Sequence, residues 1–166
     1  MIALNPILPE KKRIGASGMQ ARDLAKAYPM ATMDTPALEA ARRLATDRLN
    51  GLVVVDERGR PTVVLPATQV LRLGLPRYSQ DDPALARVID EAHADVFLRK
   101  LAGRTLADCL PERKGELPVV NEDDTVLEIA AMMARTRSPV VAVVDRDGVM
   151  VGAITLHALL DQVLGR

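Results

Sequence analysis

The chain has 166 residues, 48% of them hydrophobic and only 2% aromatic, with 22 basic side chains balanced by 22 acidic ones. This length suffices for one compact domain or two small ones sharing a core, and that core has to be aliphatic. Binders of duplex nucleic acid carry a basic excess to neutralise phosphate, and single-strand binders stack bases on aromatic rings; with neither present, nucleic acid is excluded as a partner.

Along the chain, Met1 to Pro9 is apolar but broken by Pro6 and Pro9, and the basic cluster Lys11, Lys12 and Arg13 follows it. A secretory signal has the opposite order, so residues 1–16 are read as a mobile leader. No run approaches the roughly 20 apolar residues that span a bilayer, which argues against direct membrane insertion. A single cysteine, Cys109, cannot form an internal disulfide and is read as a small apolar filler. Together these features predict a cytoplasmic protein.

Residues 17–75 form a first unit. Met30 to Met33 is a short strand candidate, and Thr35 before Pro36 is an N-cap followed by a proline at the first helical position. Leu38, Ala41, Leu44, Ala45 and Leu49 recur at helical spacing. The continuous apolar run Leu52–Val55 suits a strand buried on both faces. Asp56–Gly59 is turn chemistry, Thr62–Leu65 is the return strand, and Thr68–Leu73 is a short amphipathic helix.

Residues 76–104 are a linker with a long helix. Asp82 and Pro83 open it, Leu85, Val88, Ile89, Ala92, Val96 and Leu101 make an apolar stripe, and Gly103 ends it. Such a helix is either a packing brace across the two units or a surface for a dimer or partner.

Residues 105–166 repeat the first unit. An ungapped shift of 89 positions lays Pro29 on Pro118, Leu38-Glu39 on Leu127-Glu128, Val54-Val55-Asp56 on Val143-Val144-Asp145, Gly59 on Gly148 and Leu71 on Leu160. The elements follow in the same order: a strand at Val119–Asn121 and a capping box of Thr125 with Glu128. A helical stripe of Leu127, Ala130, Met133 and Ala134 follows, then the apolar run Val140–Val144, a turn at Asp145–Gly148, a strand at Met150–Ile154 and a helix at Leu156–Leu164. Each unit is β-α-β-β-α. At about 60 residues it is marginal alone, and two copies packed sheet to sheet bury both exposed faces.

These units, with "TPALEAARRLA" and "TVLEIAAMMA" at the helix starts and "GLVVVDERG" and "PVVAVVDRDG" at the hairpins, resemble CBS domains, and two in one chain resemble a CBS pair or Bateman module. The resemblance covers residues 19 to 166. It implies an α/β (α+β) fold of tandem CBS repeats with pseudo-two-fold symmetry plus an extra inter-repeat helix. It also implies a stand-alone regulatory module, not an enzyme, that binds an adenosine-containing ligand such as AMP, ADP, ATP or S-adenosylmethionine between the repeats and modulates a separate partner. It further implies a homodimer, with an enzyme or a membrane transporter as the client. The alternative is a ligand-free structural or dimerisation scaffold.

The family's ligand signature is Gly-apolar-apolar-Thr-x-x-Asp, in which the threonine and a helix N-terminus meet phosphate and the aspartate accepts from ribose hydroxyls. The second copy reads Gly152-Ala153-Ile154-Thr155-Leu156-His157-Ala158, with Ala158 in the aspartate's place. The first reads Val63-Val64-Leu65-Pro66-Ala67-Thr68-Gln69, with Pro66 for the threonine and Gln69 for the aspartate. Losing the charged acceptor costs about 1.5–3 kcal/mol, roughly ten- to a hundredfold in affinity. The resemblance implies a cleft of the second copy formed by Pro118, Val119, Ser138, Pro139, Val140, Ile154, Thr155, His157 and Ala158. A weaker cleft of the first copy has Thr32, Asn50, Gly51, Leu52, Leu65, Thr68 and Gln69.

Asp90 and His93, three apart, can share a helix face but lack a third metal ligand, and Asp145-x-Asp147-Gly148 lacks the rest of a calcium loop, so no metal is expected. His157 is either an anion contact or an ordinary exposed helix residue. No catalytic motif is evident.

Overall fold

The computed structural model of the protein describes residues 18–75, 94–110 and 115–165. The predicted leader, residues 76–93 of the linker, and with them His93 and Asp90, lie outside the described residues. In chain order the elements are α1 (Ala21–Leu24), β1 (Met30–Ala31), α2 (Ala37–Thr46), β2 (Gly51–Val55), β3 (Pro61–Pro66), α3 (Ala67–Gly74), α4 (Ala94–Leu101), α5 (Leu106–Cys109), β4 (Val119–Asn121), α6 (Val126–Thr136), β5 (Val140–Val144), β6 (Met150–Thr155) and α7 (Leu156–Leu164).

The strands form two three-stranded sheets, β1-β2-β3 and β4-β5-β6. In each, the first pair is parallel and the second antiparallel, and the registers coincide under the 89-residue shift: Met30 pairs with Val53 and Val119 with Ala142, while Gly51 pairs with Pro66 and Val140 with Thr155. Even the irregularities repeat, at Val54/Val55 and Val143/Val144. Each hairpin turn is built by its aspartate. Asp56 Oδ1 accepts from the N–H groups of Arg58 and Arg60, and Asp145 Oδ1 from those of Asp147 and Val149. Gly59 and Gly148 supply the positive φ, 75° and 78°, that the turn requires.

The continuous apolar runs are explained by two different cores. Side chains alternate across a strand. Leu52 and Val54 face the helices of the first copy, while Val53 and Val55 face the second sheet. Val141 and Val143 likewise join the core of the second copy, and Val140 and Ala142 meet Val53, Val55, Val64, Met150 and Ala153 in a seam shared by both sheets.

The helices start largely as expected. Thr125 caps α6 in a reciprocal box with Glu128, and that bond and the threonine hydroxyl hold the Glu128 carboxyl below its ordinary range. The first copy departs from expectation. Pro36, with extended backbone, is the N-cap of α2, and the Thr35 hydroxyl instead accepts from the Thr32 N–H at 2.9 Å. The proline's own backbone takes the cap position, so Thr35 is one residue too early to cap. The first strand is also shorter than Met30–Met33, because the Thr32–Thr35 turn begins immediately after Ala31.

The described part of the linker helix, α4, packs on α2 and α3 of the first copy. Leu101 is fully buried in that copy's core with Phe97 packed against it. Phe97 covers Gly74 of α3 so closely that a side chain there would overlap its ring. Among the described residues, Ala94–Leu101 thus clamps the first copy.

One feature was not foreseen from the sequence. The short helices α1 and α5 are exchanged. Ala21 of α1 lies fully buried in the core of the second copy, with Val120, Ile129 and Ile154. Its backbone N–H donates to Asp124 O at 2.8 Å, and that of Arg22 to Glu122 O at 2.9 Å. Arg22 also pairs with Asp123. Conversely, Leu106 of α5 is buried in the first copy's core. It donates to Thr35 O at 2.9 Å, and Ala107 donates to Met33 O at 2.9 Å. The contacts correspond under the 89-residue shift, but the helices themselves are offset by 85, so the second copy has a longer connection from helix to strand.

Truncating Leu106 to alanine is expected to lower the unfolding free energy by about 2–5 kcal/mol, measured by urea denaturation. A loss below about 0.5 kcal/mol would mean that the exchanged helix contributes nothing to the first core.

Candidate functional site

Both clefts inferred from sequence begin at the seam. Gly51 and Val140 correspond in the two copies, and they meet: a Cβ built on Gly51 would stand 3.1 Å from Val140 Cγ1 and 2.7 Å from Leu65 O. Glycine is needed at position 51 chiefly because the Leu65 carbonyl of the adjacent strand stands too close for a side chain, with Val140 of the other copy tight against the same spot. The structure therefore brings Gly51 beside Val140, whereas the side chains of Leu52 and Leu65 pack in the first copy's own core.

In the second copy, β6 runs directly into α7. Thr155 is the N-cap, its hydroxyl accepting from the Ala158 N–H at 3.3 Å, and the Leu156 N–H donates to Pro139 O at 2.8 Å. Thr155 is half-buried, Ala158 is half-buried and His157 is exposed. The N-terminus of α7, where anions are favoured, thus opens beside Pro139 and the register pair Val140–Thr155. Pro118 is buried, its carbonyl accepting from the Ala142 N–H at 3.0 Å, and Val119 packs against the seam. Ile154 is different: it is fully buried in the second copy's own core, so its side chain belongs to packing. The Ser138 side chain is 4% exposed, and its hydroxyl donates to Val140 O at 2.6 Å.

In the first copy the side chains at these positions are different. Pro66 stands where Thr155 stands and offers no side-chain cap to α3. Gln69 Oε1 accepts from Arg72 Nη1 at 3.1 Å, so this amide is engaged along its own helix. Thr68 and Thr32 are exposed, and the Thr32 N–H is committed to Thr35. Asn50 O accepts from the Ala67 N–H at 3.0 Å. The Gly51 carbonyl accepts from the Tyr28 hydroxyl at 2.8 Å. Burial pushes the Tyr28 phenol up, against the opposing effect of the Gly51 and Asn50 backbone.

Sequence reasoning missed the segment Ala25–Tyr28. Lys26 forms a reciprocal backbone pair with Ala153, at 3.0 and 2.9 Å, along β6. Gly152 makes this possible, since a Cβ there would come within 2.8 Å of Lys26 O. The signature glycine of the second copy therefore serves a backbone approach from the first. One signal was available: Tyr28 corresponds to Leu117 under the repeat shift.

A cavity of about 450 Å³ lies elsewhere, between α2 and the end of α4, lined by Leu38, Arg42, Leu101, Arg104 and Thr105 among others. None of the residues expected in either cleft lines it. Cys109 packs against the first copy's core, where burial pushes its thiol up. Among the described residues no group of three His, Cys, Asp or Glu could hold a metal ion, and no helix is long and apolar enough to cross a membrane.

Removing the Ser138 hydroxyl (Ser138→Ala) takes away the side-chain donor to a buried carbonyl. The expected loss is about 1–3 kcal/mol in urea unfolding; an unchanged midpoint would show that the Val140 carbonyl finds another donor.

Comparison with known proteins fits this architecture. The CBS domain family matches residues 21–72 and 112–165. A crystal structure of a CBS domain-containing protein of unknown function from Kribbella flavida is 53% identical, spanning 88% of this chain and 99% of that one, with a TM-score of 0.73. Two more distant structures share the fold. CBSX2 in complex with AMP is 20% identical over 89% of this chain and 98% of its own, with a TM-score of 0.62. The CBS domain of a CBS domain-containing membrane protein from Sphaerobacter thermophilus is 22% identical over 87% of both chains, with a TM-score of 0.62. No curated protein matches the chain. With its two matched segments, duplicated registers and shared seam, the chain belongs to the CBS domain family as a tandem pair.

Proposed function

We propose that the protein is a regulatory module that binds an adenosine-containing ligand, of the AMP, ADP, ATP or S-adenosylmethionine class, in the cleft of the second copy. The observation that carries this reading is the N-terminus of α7. There a half-buried Thr155 caps the helix beside Pro139, with His157 exposed next to it. Phosphate is the natural occupant of such a position. The AMP complex of CBSX2 supports the ligand class for this fold. Ligand binding changes how the two copies press on each other and so acts on a separate client, an enzyme or a membrane transporter. The occurrence of a CBS domain in a membrane protein supports the latter.

A homodimer is part of this reading. Leu71 on α3 and Leu160 on α7 correspond under the repeat shift, and they are 57% and 40% exposed. Leu156 and Val163 extend the second ridge. Two ridges related by the pseudo-two-fold fit a partner with the same pair of ridges, because a two-fold interface is self-complementary.

Thermal unfolding with AMP, ADP, ATP and S-adenosylmethionine in turn tests the ligand. A compound that binds only the folded chain raises the melting temperature. At millimolar concentration at least one is expected to do so, and no shift with any of them leaves the scaffold reading. Ala158→Asp restores an acceptor for ribose hydroxyls and is expected to tighten binding roughly ten- to a hundredfold; unchanged affinity would place the cleft elsewhere. For the dimer, sedimentation of Leu160→Glu is expected to give monomer where the unaltered chain gives dimer.

A further inference from the structure

The two copies differ in how they treat one pair of corresponding carbonyls. Gly51 and Val140 each stand two residues before the parallel ladder begins, at Val53 and Ala142. Each carbonyl is met by a side-chain hydroxyl, but from a different place. In the second copy Ser138, two residues earlier in the same segment, donates to Val140 O at 2.6 Å. In the first copy the corresponding position is Leu49, and the donor is Tyr28, at 2.8 Å, from the segment that leads into β1. The position corresponding to Tyr28 is Leu117. The hydroxyl has in effect moved from one wall of the cleft to the other.

That move changes the space available. A serine hydroxyl lies along its own strand and occupies one of the two lone pairs of the carbonyl, while Leu117, in the place of Tyr28, packs against the same seam without offering a donor. A tyrosine reaches the same carbonyl only by laying its ring across the strand start, and Tyr28 is packed against the seam residues. Its position is fixed from behind by the Lys26–Ala153 backbone pair. An amino or hydroxyl group of a ligand seeking the Gly51 carbonyl meets a ring and a donor already in place.

We infer that Tyr28 closes the cleft of the first copy from within, acting as a built-in occupant of the Gly51 carbonyl, so that the chain takes one ligand, in the cleft of the second copy. This rests on the reading of the clefts as adenosyl sites. It agrees with two other features of the first copy: Pro66 in place of the capping threonine and Gln69 engaged by Arg72. One chain thereby carries a sensing repeat and a filled repeat, and its response to ligand is graded by a single binding event.

AMP bound per folded chain, counted by equilibrium dialysis at saturation, tests this on the unaltered protein and on Tyr28→Leu, which introduces the residue the second copy already uses at that place. Tyr28→Val serves if the leucine variant does not fold. The expected counts are one for the unaltered chain and two for the variant. A rise from none to one also supports closure by Tyr28, while moving the ligand to the first cleft. Two on the unaltered chain, or one on both, overturns the role of Tyr28 and leaves the adenosyl reading standing. None on either overturns both.

Discussion

The exchange of two short helices is the constraint on which the rest of the fold depends. Each copy by itself offers a three-stranded sheet and two helices, too little to bury its apolar side chains. Ala21 and Leu106 complete the two cores, but each completes the core of the other copy. The chain must therefore cross between copies before β1 and again before β4. Together with the shared seam of Val53, Val55, Val64, Val140, Ala142, Met150 and Ala153, the crossings turn two marginal units into one body. They also fix the relative position of the two strand starts, which is what brings Gly51 against Val140.

The clefts follow from this arrangement. Strand starts and helix N-termini of both copies come to the edges of the seam because the registers are the same in both sheets. Symmetry of backbone does not extend to chemistry. One helix start is capped by a threonine hydroxyl and the other by a proline without one; one strand-start carbonyl is met by a serine and the other by a tyrosine. Under the proposed function, a pair in which only one helix start carries a threonine cap suits a one-site sensor better than a two-site one.

Much of this was legible in the sequence because the repeat doubles every signal. The apolar runs, the Asp-to-Gly turns and the Thr125–Glu128 capping box are local patterns, and local hydrogen bonds decide them. The cap at Thr35 failed because Pro36 sets its own backbone and takes the cap itself. The helix exchange was not legible. A four-residue helix has too few positions to show periodicity, and nothing local states which copy's core receives it. Gly152 was read as part of a ligand signature, whereas its space is taken by the Lys26 backbone, a contact 126 residues distant in sequence. Tyr28 has no local signal for a related reason: its partner, the Gly51 carbonyl, stands before the parallel ladder begins and 23 residues away in sequence.

Native-state hydrogen exchange tests most directly whether the crossings make the two copies one cooperative body. Backbone amides of β2 and β3 in the first copy and of β5 and β6 in the second are expected to open with the same free energy and the same dependence on denaturant. If one sheet exchanges through an opening that leaves the other protected, the copies fold as separate units, and the coupling on which a ligand signal depends is absent.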